Sequence, residues 1–546
     1  MTVGRMARSH PAQRIGPPMT KTSLPTIALI LLTCASSLAA EPLKLTRADY
    51  EDRVNAIWHG QLIAVLLTLP FEHHVAAAEP IRAFPKPYTA AFVDDDWYYE
   101  MCAVRAFEKH GIGLTLEQLG EQWRENACGS YGSSMVTRAN LEKGLSAREA
   151  GHPRYNRLWW TIGPVFSADL YGALAPGMPN EAGRLARELC AINGYGEALD
   201  GAVLYAGAIS LGFAESDVRE VLRKAVRLID PSSPYRQCVE SVIHMAENGQ
   251  SFEAIAAAVE DRWRVEYPAS NNAVPNGGLA AACLWFGNGD FWTTIDLACR
   301  AADFTDTDNS AATAISIIAA MKGMKALPAE LVAQLNDRIT GEKLGRVTVT
   351  PAVDEKISTL AKRTAAIGEK IITAKGGKIS GDEIHILPEA VVTQAAQRFQ
   401  LADLTQWWNP EWTLERAGFG GDGVGAMPGI RGYTALDGDT LITYPRDEAR
   451  SLLLRRKLKL GDAPSLELQV AADPGKAWEL NVYADNKRVL ARTIEGSGTE
   501  VRFETIKIDL GDFAGRETTL RLYQRVLLPG QLKVPGVAYW KSPVVR

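Results

Sequence analysis

The sequence predicts a multidomain protein in which a large all-α domain is followed by an all-β jelly-roll sandwich. Its 546 residues are enough for several domains. From about residue 46 to 340, apolar residues recur at helical spacing and no alternating pattern interrupts them. From about residue 401 to 546, short alternating segments separated by turn signals indicate antiparallel strands.

Residues 1–40 have the pattern of a secretory signal peptide. Lys21 precedes a short apolar run over residues 24–32, and small residues follow up to Ala40. We expect Met19 to be the natural start within this segment. The apolar run is too short to cross a membrane, so we expect no membrane span there. We therefore expect cleavage after Ala39 or Ala40, and export to the periplasm or the medium.

Charge and cysteine content restrict the possible anchoring, binding partners and metal sites of the protein. Cys34 would allow a lipoprotein, but Thr33 before it is atypical, so lipidation is disfavoured. The net charge of −5 argues against a nucleic-acid or anionic-membrane binder. Removal of residues 1–40 leaves six cysteines without a CxxC or Cys/His zinc spacing, and their pairing stays open.

Residues 41–340 are predicted to form the all-α domain. A capping pattern starts a helix at Thr115, and a stripe of apolar residues at helical spacing runs from Val54 to Leu66. Further helices are predicted over 182–192, 198–211, 216–228, 236–247, 251–263 and 293–302. Residues 341–400 are predicted to be a connector packed on this domain, with a helix over 355–374 and a short strand at 383–387.

Residues 401–546 are predicted to form the β-sandwich. Clean alternation marks strands at 465–470, 479–483, 501–510 and 520–523. The segments 482–486 and 508–516 resemble galactose-binding-like jelly-roll modules, which implies binding of a polysaccharide. Four tryptophans could stack on sugar rings or belong to the core: Trp407, Trp408, Trp412 and Trp540.

Two acidic clusters precede apolar helical runs. One is Asp94-Asp95-Asp96, and the other lies in the segment 303–309, which contains Asp306 and Asp308. Carboxylates are favourable at a helix N-terminus, and capping alone would account for one or two of them. Several acids beside buried helices need further compensation, which hard divalent cations with oxygen ligands supply. If the two N-termini meet, the chain has a site for one or two metal ions.

Neither an EF-hand loop nor a phosphotransferase aspartate fits the second cluster. Counted from Asp303, an EF-hand loop would need Gly where Asp308 stands and Glu where Ala314 stands. A phosphotransferase aspartate normally follows a buried strand, whereas residues 297–302 have a helical pattern.

At these clusters the chain resembles the ADP-ribosylglycohydrolase family over about residues 50–340. The family motif Thr-Asp-Asp-Thr corresponds to residues 94–97, with Asp94 for the first Thr and Trp97 for the last. The motif Gly-Gly-Asp-Thr-Asp-Thr corresponds to residues 304–309, with both glycines replaced and Asn309 for the final Thr. The family's Pro-x-Glu corresponds to residues 70–72.

The resemblance implies an all-α fold with two Mg²⁺ or Mn²⁺ ions. It implies that Glu72 activates a water molecule or stabilises the developing oxocarbenium ion. The segment 163–177 resembles the substrate-side loop, which suggests Ser167 and Asp169 as substrate-binding residues. The metal ligands it implies are Asp94, Asp95, Asp96, Asp306, Asp308 and Asn309.

Two functions follow as hypotheses. The first is an exported Mg²⁺- or Mn²⁺-dependent glycohydrolase that cleaves an N- or O-glycosidic, ribosyl-like bond of a small molecule or glycoconjugate with metal-activated water. The second is a non-catalytic carbohydrate-binding or scaffold protein that retains the fold. Bound metal with Glu72 in place would favour the enzyme, and an empty, salt-bridged acidic site would favour the scaffold. An inactive scaffold has no reason to keep facing carboxylates uncompensated.

Overall fold

A long central helix organises the N-terminal region of the computed structural model. The structure describes residues 42–395, 397–415, 434–444, 451–525 and 534–546. The predicted signal peptide at residues 1–40 lies outside these ranges. Helix α1 (Arg47–Thr68) begins at Thr46, whose hydroxyl accepts the Asp49 N–H. Beyond its first two turns α1 is buried on all sides, so it lies in the core of the region.

Within the described residues, sixteen further α-helices follow α1 in the helical region. They are α2 (Asp95–His110), α3 (Leu116–Glu125), α4 (Gly132–Glu142), α5 (Ala147–Gly151), α6 (Gly163–Phe166), α7 (Asp169–Leu174), α8 (Pro179–Leu189), α9 (Glu197–Gly212), α10 (Val218–Ala225), α11 (Pro234–Glu247), α12 (Phe252–Ala258), α13 (Ala273–Gly287), α14 (Phe291–Arg300), α15 (Thr307–Lys322), α16 (Ala329–Gln334) and α17 (Ile357–Ala374). A π-helical segment, Val259–Arg264, extends α12. The predicted capping box at Thr115 is present.

Helices α1 and α15 pack closely against each other. A Cβ atom on Gly60 would lie only 3.0 Å from a methyl group of Ile315, so the small residue permits this approach. By length and composition Arg47–Phe71 resembles a membrane span, but 78% of its most apolar window is buried inside the protein. Among the described residues this is the single helix with that property. It has the character of a core helix.

Two small β elements complete the helical region. Strands β2 (Arg338–Leu344) and β3 (Val347–Lys356) form an antiparallel hairpin. The N-terminal strand β1 (Leu43–Thr46) pairs with β5 (Glu383–Ile386), which also pairs with β4 (Lys378–Ser380). The segment after β5 stays on the helices, because the Gln394 N–H donates to the Leu228 carbonyl.

The C-terminal region consists of two packed sheets preceded by helix α18 (Leu401–Trp408). The strands are β6 (Thr413–Glu415), β7 (Ala435–Asp437), β8 (Thr440–Thr443), β9 (Leu452–Lys459), β10 (Ser465–Ala472), β11 (Lys476–Ala484), β12 (Lys487–Glu495), β13 (Glu504–Asp509), β14 (Glu517–Arg525), β15 (Val534–Pro535), β16 (Ala538–Trp540) and β17 (Val544–Val545). In the first sheet the order is β13-β10-β16-β8-β7, with β17 also on β10; in the second it is β12-β11-β14-β9-β6, with β15 also on β11. Within the described strands, all pairings are antiparallel except that of β15 with β11.

The sandwich has its own core, and this decides the role of two tryptophans. Trp412 and Trp540 are fully buried between the sheets, so neither can stack on a sugar ring. Their indoles supply the core that two short-stranded sheets need. Trp407 and Trp408 are half-buried and pack against the edge of this core.

Candidate metal and hydrolase site

The first wall of the site is the turn that ends α1. After a 3₁₀ turn at Leu69–Phe71, the chain places Glu72 and His73 beside the loop that precedes α15. The His73 N–H donates to the Thr305 carbonyl at 2.8 Å, and the Phe304 N–H donates to the His74 carbonyl at 2.7 Å. These bonds fix Glu72, which carries the family's Pro-x-Glu carboxylate, next to the second acidic cluster.

The first acidic cluster opens α2. Asp94 is the N-cap, and its carboxylate accepts the Asp96 N–H at 3.3 Å. Asp95 and Asp96 occupy the first helical turn, where the partial positive charge of the helix favours carboxylates. The Asp96 side chain also accepts a hydrogen bond from Asn309 of α15 at 3.4 Å. The two helix N-termini therefore meet, which is the condition that the sequence set for a shared metal site.

Helix α13 supports the second acidic cluster through Asn276. The Asp306 N–H donates to the side-chain oxygen of Asn276 at 3.2 Å, and the Asn276 amide donates to the carbonyls of Ser270 and Asn272. Asp308 follows in the first turn of α15, and its Oδ1 is buried without a hydrogen-bond partner. An orphaned buried carboxylate oxygen is costly and indicates a site for a further group.

The clusters share one cavity of about 690 Å³. The carboxylates on its wall come from Glu72, from residues 94–96 and from residues 306 and 308. The opposite walls contain aromatic, hydroxyl and amide groups and the hairpin tip. These walls are formed by Phe92, Tyr131, Gly132, Ser133, Ser134, Thr161, Ile162, Gly163, Phe166, Asn271, Gly341, Lys343, Leu344 and Gly345.

The cavity concentrates carboxyl groups whose simultaneous ionisation is unfavourable. Repulsion by Asp308, followed by burial, raises the pKa of Glu72. Burial is the first cause of the raised pKa of Asp94, Asp96 and Asp306, and it raises that of Asp95 to about 7. Among the described residues, no lysine or arginine forms an ion pair with any of these carboxylates, and Arg264 nearby is bound to Glu260. The charge therefore needs an external cation or bound protons.

The donor set fits divalent metal ions. Ligand atoms of Glu72, His73 and Asp306 lie within 4.8 Å of one another, and so do those of Asp94, Asp95 and Asp96. Burial lowers the pKa of His73 to about 4, so its imidazole is neutral and able to bind a metal. A donor set made mostly of carboxylate oxygens suits a hard divalent cation.

Three predicted site residues do not reach the cavity wall. Asn309 is buried and orients Asp96. Ser167 is buried and donates to the Gly163 carbonyl at 2.9 Å. Asp169 is buried beside Gln61 and Glu100, behind α2. Four residues just before them, Thr161, Ile162, Gly163 and Phe166, line the cavity instead.

Sequence reasoning missed several residues that the structure brings to the cavity. His73, which follows Glu72 directly, joins the acidic group. Tyr131, Asn271 and the hairpin residue Lys343 come from three distant segments. A histidine next to a candidate catalytic glutamate was a signal that could have been used, whereas the other residues have no local signature.

Two positions at which the chain differs from the motifs it resembles are Phe304 and Trp97. Phe304 has a left-handed conformation, with φ of 55°, at the position of the first motif glycine. Trp97, in place of the motif's last threonine, is fully buried and faces the core rather than the cavity. The carboxylates of both acidic clusters line the cavity, although Trp97 and Phe304 beside them differ from the motifs that the chain resembles.

A family model, ADP-ribosylglycohydrolase, matches residues 46–367. No curated protein matches the chain significantly. A solved structure described as an ADP-ribosylglycohydrolase-related protein complex is 17% identical and covers 59% of this chain and 99% of that one, with a TM-score of 0.41.

Solved carbohydrate-binding modules are also similar to parts of the chain. A family 4 module is 11% identical and covers 25% of this chain and 87% of that one, with a TM-score of 0.17. A family 29 module is 15% identical and covers 20% of this chain and 70% of that one, with a TM-score of 0.15. Scores this low carry no argument about ligands.

Proposed function

Because the chain belongs to the ADP-ribosylglycohydrolase family, we propose that it is a Mg²⁺- or Mn²⁺-dependent glycohydrolase that cleaves an N- or O-glycosidic, ribosyl-like bond. Family membership supports a glycohydrolase-type function. The observation that carries the finer proposal is the meeting of Glu72 and five aspartates at one cavity, without an ion pair to any described lysine or arginine. A scaffold would have no reason to retain such uncompensated charge.

The residues that would hold two metal ions are Asp94, Asp95, Asp96, Asp306 and Asp308. Metal ions bound there would polarise substrate oxygens and lower the pKa of a bound water. Asn309 keeps Asp96 oriented, and Asn276 fixes the backbone at Asp306. Such supporting hydrogen bonds hold carboxylate ligands in place.

Glu72 is placed for proton transfer. Its side chain is 34% exposed, faces the cavity, and lies 3.3 Å from the His73 imidazole. Once the charge of the aspartates is compensated, the repulsion that raises its pKa falls and the carboxylate ionises. Glu72 then accepts a proton from the attacking water or stabilises the developing oxocarbenium ion.

The other walls would position the sugar. Aromatic surfaces from Phe92, Tyr131 and Phe166 offer faces for a ring, and Thr161 and Asn271 offer hydrogen-bonding groups. The tip of the hairpin of β2 and β3 covers one side of the cavity. It is held there by a hydrogen bond in which the Ser130 hydroxyl donates to the Leu344 carbonyl at 2.7 Å. This cover would limit the access of bulk water to the reacting bond.

Export and a role for the sandwich belong to the same proposal. The signal-like pattern of residues 1–40 supports a periplasmic or secreted enzyme. The resemblance of the sandwich to galactose-binding-like modules supports a polysaccharide partner. With Trp412 and Trp540 in the core, any sugar contact would fall on other surface residues.

Metal binding by calorimetry tests the proposal. We expect the native protein to bind Mg²⁺ or Mn²⁺ and the double variant Asp306→Ala, Asp308→Ala to lose at least about 100-fold in affinity, since both ligands are removed. Asp303→Ala is the matched control: Asp303 lies in the same loop but accepts the Ala76 N–H and does not line the cavity. Equal binding by the native protein and the double variant would contradict the site.

Activity on ribosyl and glycosyl conjugates then separates enzyme from scaffold. Glu72→Gln keeps the shape of the side chain but removes its base, so we expect kcat to fall about 10²–10⁴-fold while metal binding persists. A native protein that binds metal but cleaves none of the conjugates would favour the scaffold hypothesis.

A further inference from the structure

Two of the six cysteines after residue 40 lie next to each other beneath the cavity wall. Cys102 is on α2, two turns after the aspartates that open the helix, and Cys128 is in the loop after α3. Their sulfur atoms are 2.7 Å apart, and both side chains are buried free thiols in the structure. This is closer than two heavy atoms that are not bonded prefer to approach.

The loop that contains Cys128 continues directly into the cavity wall. Gly129 and Ser130 follow it, and then the segment 131–134, which lines the cavity. Along this loop, α2 makes two further contacts: the Tyr98 hydroxyl donates to the Asn126 carbonyl at 2.8 Å, and the Tyr99 hydroxyl bonds to Ser134 Oγ at 2.8 Å. The sulfur pair lies between these two contacts in the order of the loop.

We propose that Cys102 and Cys128 form a disulfide bridge that fastens the cavity wall to the helix bearing the first acidic cluster. The two thiols lose two protons and two electrons, and one S–S bond forms. An external disulfide, such as that of a thiol–disulfide oxidoreductase or glutathione disulfide, accepts the electrons and becomes two thiols.

The timing of the bridge follows from its burial. Burial raises the pKa of the Cys128 thiol, and it shields both sulfurs from reagents. The exchange therefore takes place while the chain folds, before α2 and the loop pack together. An oxidising compartment, as proposed for this chain, supplies the acceptor.

The other four cysteines provide an internal comparison. Cys190, Cys238, Cys283 and Cys299 are also buried. Within the described ranges, none of them has a sulfur–sulfur contact like that of Cys102 with Cys128. Burial alone therefore does not distinguish the pair, whereas proximity does.

Peptide mapping of the full-length chain tests the bridge without reference to any activity. The protein is refolded in a buffer rich in glutathione disulfide, denatured, alkylated, digested and analysed by mass spectrometry. We expect a linked peptide containing Cys102 and Cys128, alkylation of both only after reduction, and direct alkylation of the other four. Direct alkylation of Cys102 and Cys128 under these conditions would overturn the proposal.

Thermal unfolding tests the mechanical role of the bridge. Reduction should lower the Tm of the native protein by about 5 °C, because the closed loop restrains the unfolded chain. The double variant Cys102→Ala, Cys128→Ala should lose this response, and Cys283→Ala should keep it. If the Tm of the native protein does not change on full reduction, the bridge does not stabilise the fold as proposed.

Discussion

Phe304 shows how a single residue can depart from a motif while the fold keeps its shape. Its backbone has φ of 55°, which costs a non-glycine residue of this kind roughly 1–2 kcal/mol. Its N–H donates to His74, so the conformation is held by the pairing with the Glu72 turn. The side chain is 44% exposed and adds little burial to offset the backbone cost.

Replacement of Phe304 by glycine should therefore stabilise the protein by about 0.5–1 kcal/mol, measured by urea unfolding. Phe304→Ala is the control, because it removes the same ring but keeps a Cβ in the left-handed region. We expect Phe304→Ala to be less stable than Phe304→Gly. Equal stability of the two variants would show that backbone strain is not the reason.

The pair of Asp169 and Glu100 is a second residue-scale feature. Gln61 donates to both carboxylates, at 3.4 and 3.2 Å, and both side chains are buried. Burial raises the pKa of Asp169 to about 7, and it also raises the pKa of Glu100. The folded state therefore holds protons that the unfolded chain releases near pH 4.

Because the pKa values of these two carboxyl groups are raised on folding, the free energy of unfolding should fall as the pH rises. The contribution of a carboxyl with a raised folded pKa is present below about pH 4 and is lost as the pH rises through about 7. Asp169→Asn is uncharged, so it should flatten this slope and be more stable than the native protein at pH 8 by about 1–3 kcal/mol. The measurement is urea unfolding from about pH 4 to 8, with exposed Asp261→Asn as control. An unchanged slope in Asp169→Asn would refute the assignment.

At the same scale, the site residues that sequence could predict were those with a local signature. The two runs of aspartates precede apolar helices, so their positions at helix N-termini follow from capping preferences alone. Tyr131, Asn271 and Lys343 carry no such pattern. They reach the cavity only because three separate segments, two loops and the strand β2, pack around it.

At the scale of elements, α13 is one of the helices that the sequence did not predict. It contains Pro275 and the pair Gly277-Gly278, which are typical of loops. The structure shows why the glycines are there: a Cβ on Gly277 would lie 2.0 Å from the hydroxyl oxygen of Tyr235 on α11. Close packing of two helices overrides local propensity here, and α13 then supplies Asn276 to the site.

Gly277→Ala should destabilise the protein by about 1–3 kcal/mol, although alanine favours helices over glycine by about 1 kcal/mol. The clash with the Tyr235 ring outweighs the propensity. Gly113→Ala is the matched control, because its Cβ would have no atom within 4 Å, and we expect a change within about 0.5 kcal/mol. A stabilised Gly277→Ala variant, in thermal or urea unfolding, would contradict the packing argument.

At the scale of the whole molecule, the sequence indicated both fold classes because the periodicity changes along the chain. Alternation at 465–470 and 520–523 became strands β10 and β14, whose buried faces follow that alternation. The position of the hairpin of β2 and β3 could not be predicted in this way. Its polar, charged sequence suggested a connector, but its position over the cavity depends on contacts with residues more than 200 positions earlier, such as Ser130.

The contact between the helical region and the sandwich also could not be predicted, because aromatic residues on both sides have no sequence signature. The Trp407 ring packs against His152 with centroids 5.0 Å apart, and Phe399 packs against Trp159 at 5.1 Å. Trp407 therefore joins the two regions. This contact competes with any role of Trp407 as a platform for sugars.

A double-mutant cycle between His152→Ala and Trp407→Ala measures this junction. We expect a coupling energy of about 0.5–1.5 kcal/mol in urea unfolding of the full-length chain, because either single substitution already removes the contact between the two rings. The control cycle pairs His152→Ala with Trp408→Ala. The Trp408 indole donates to the Asp439 carbonyl inside the sandwich, so its coupling with His152 should be near zero. A coupling for Trp407 as small as that for Trp408 would mean that the aromatic contact does not hold the two regions together, and Trp407 would then be available to a ligand.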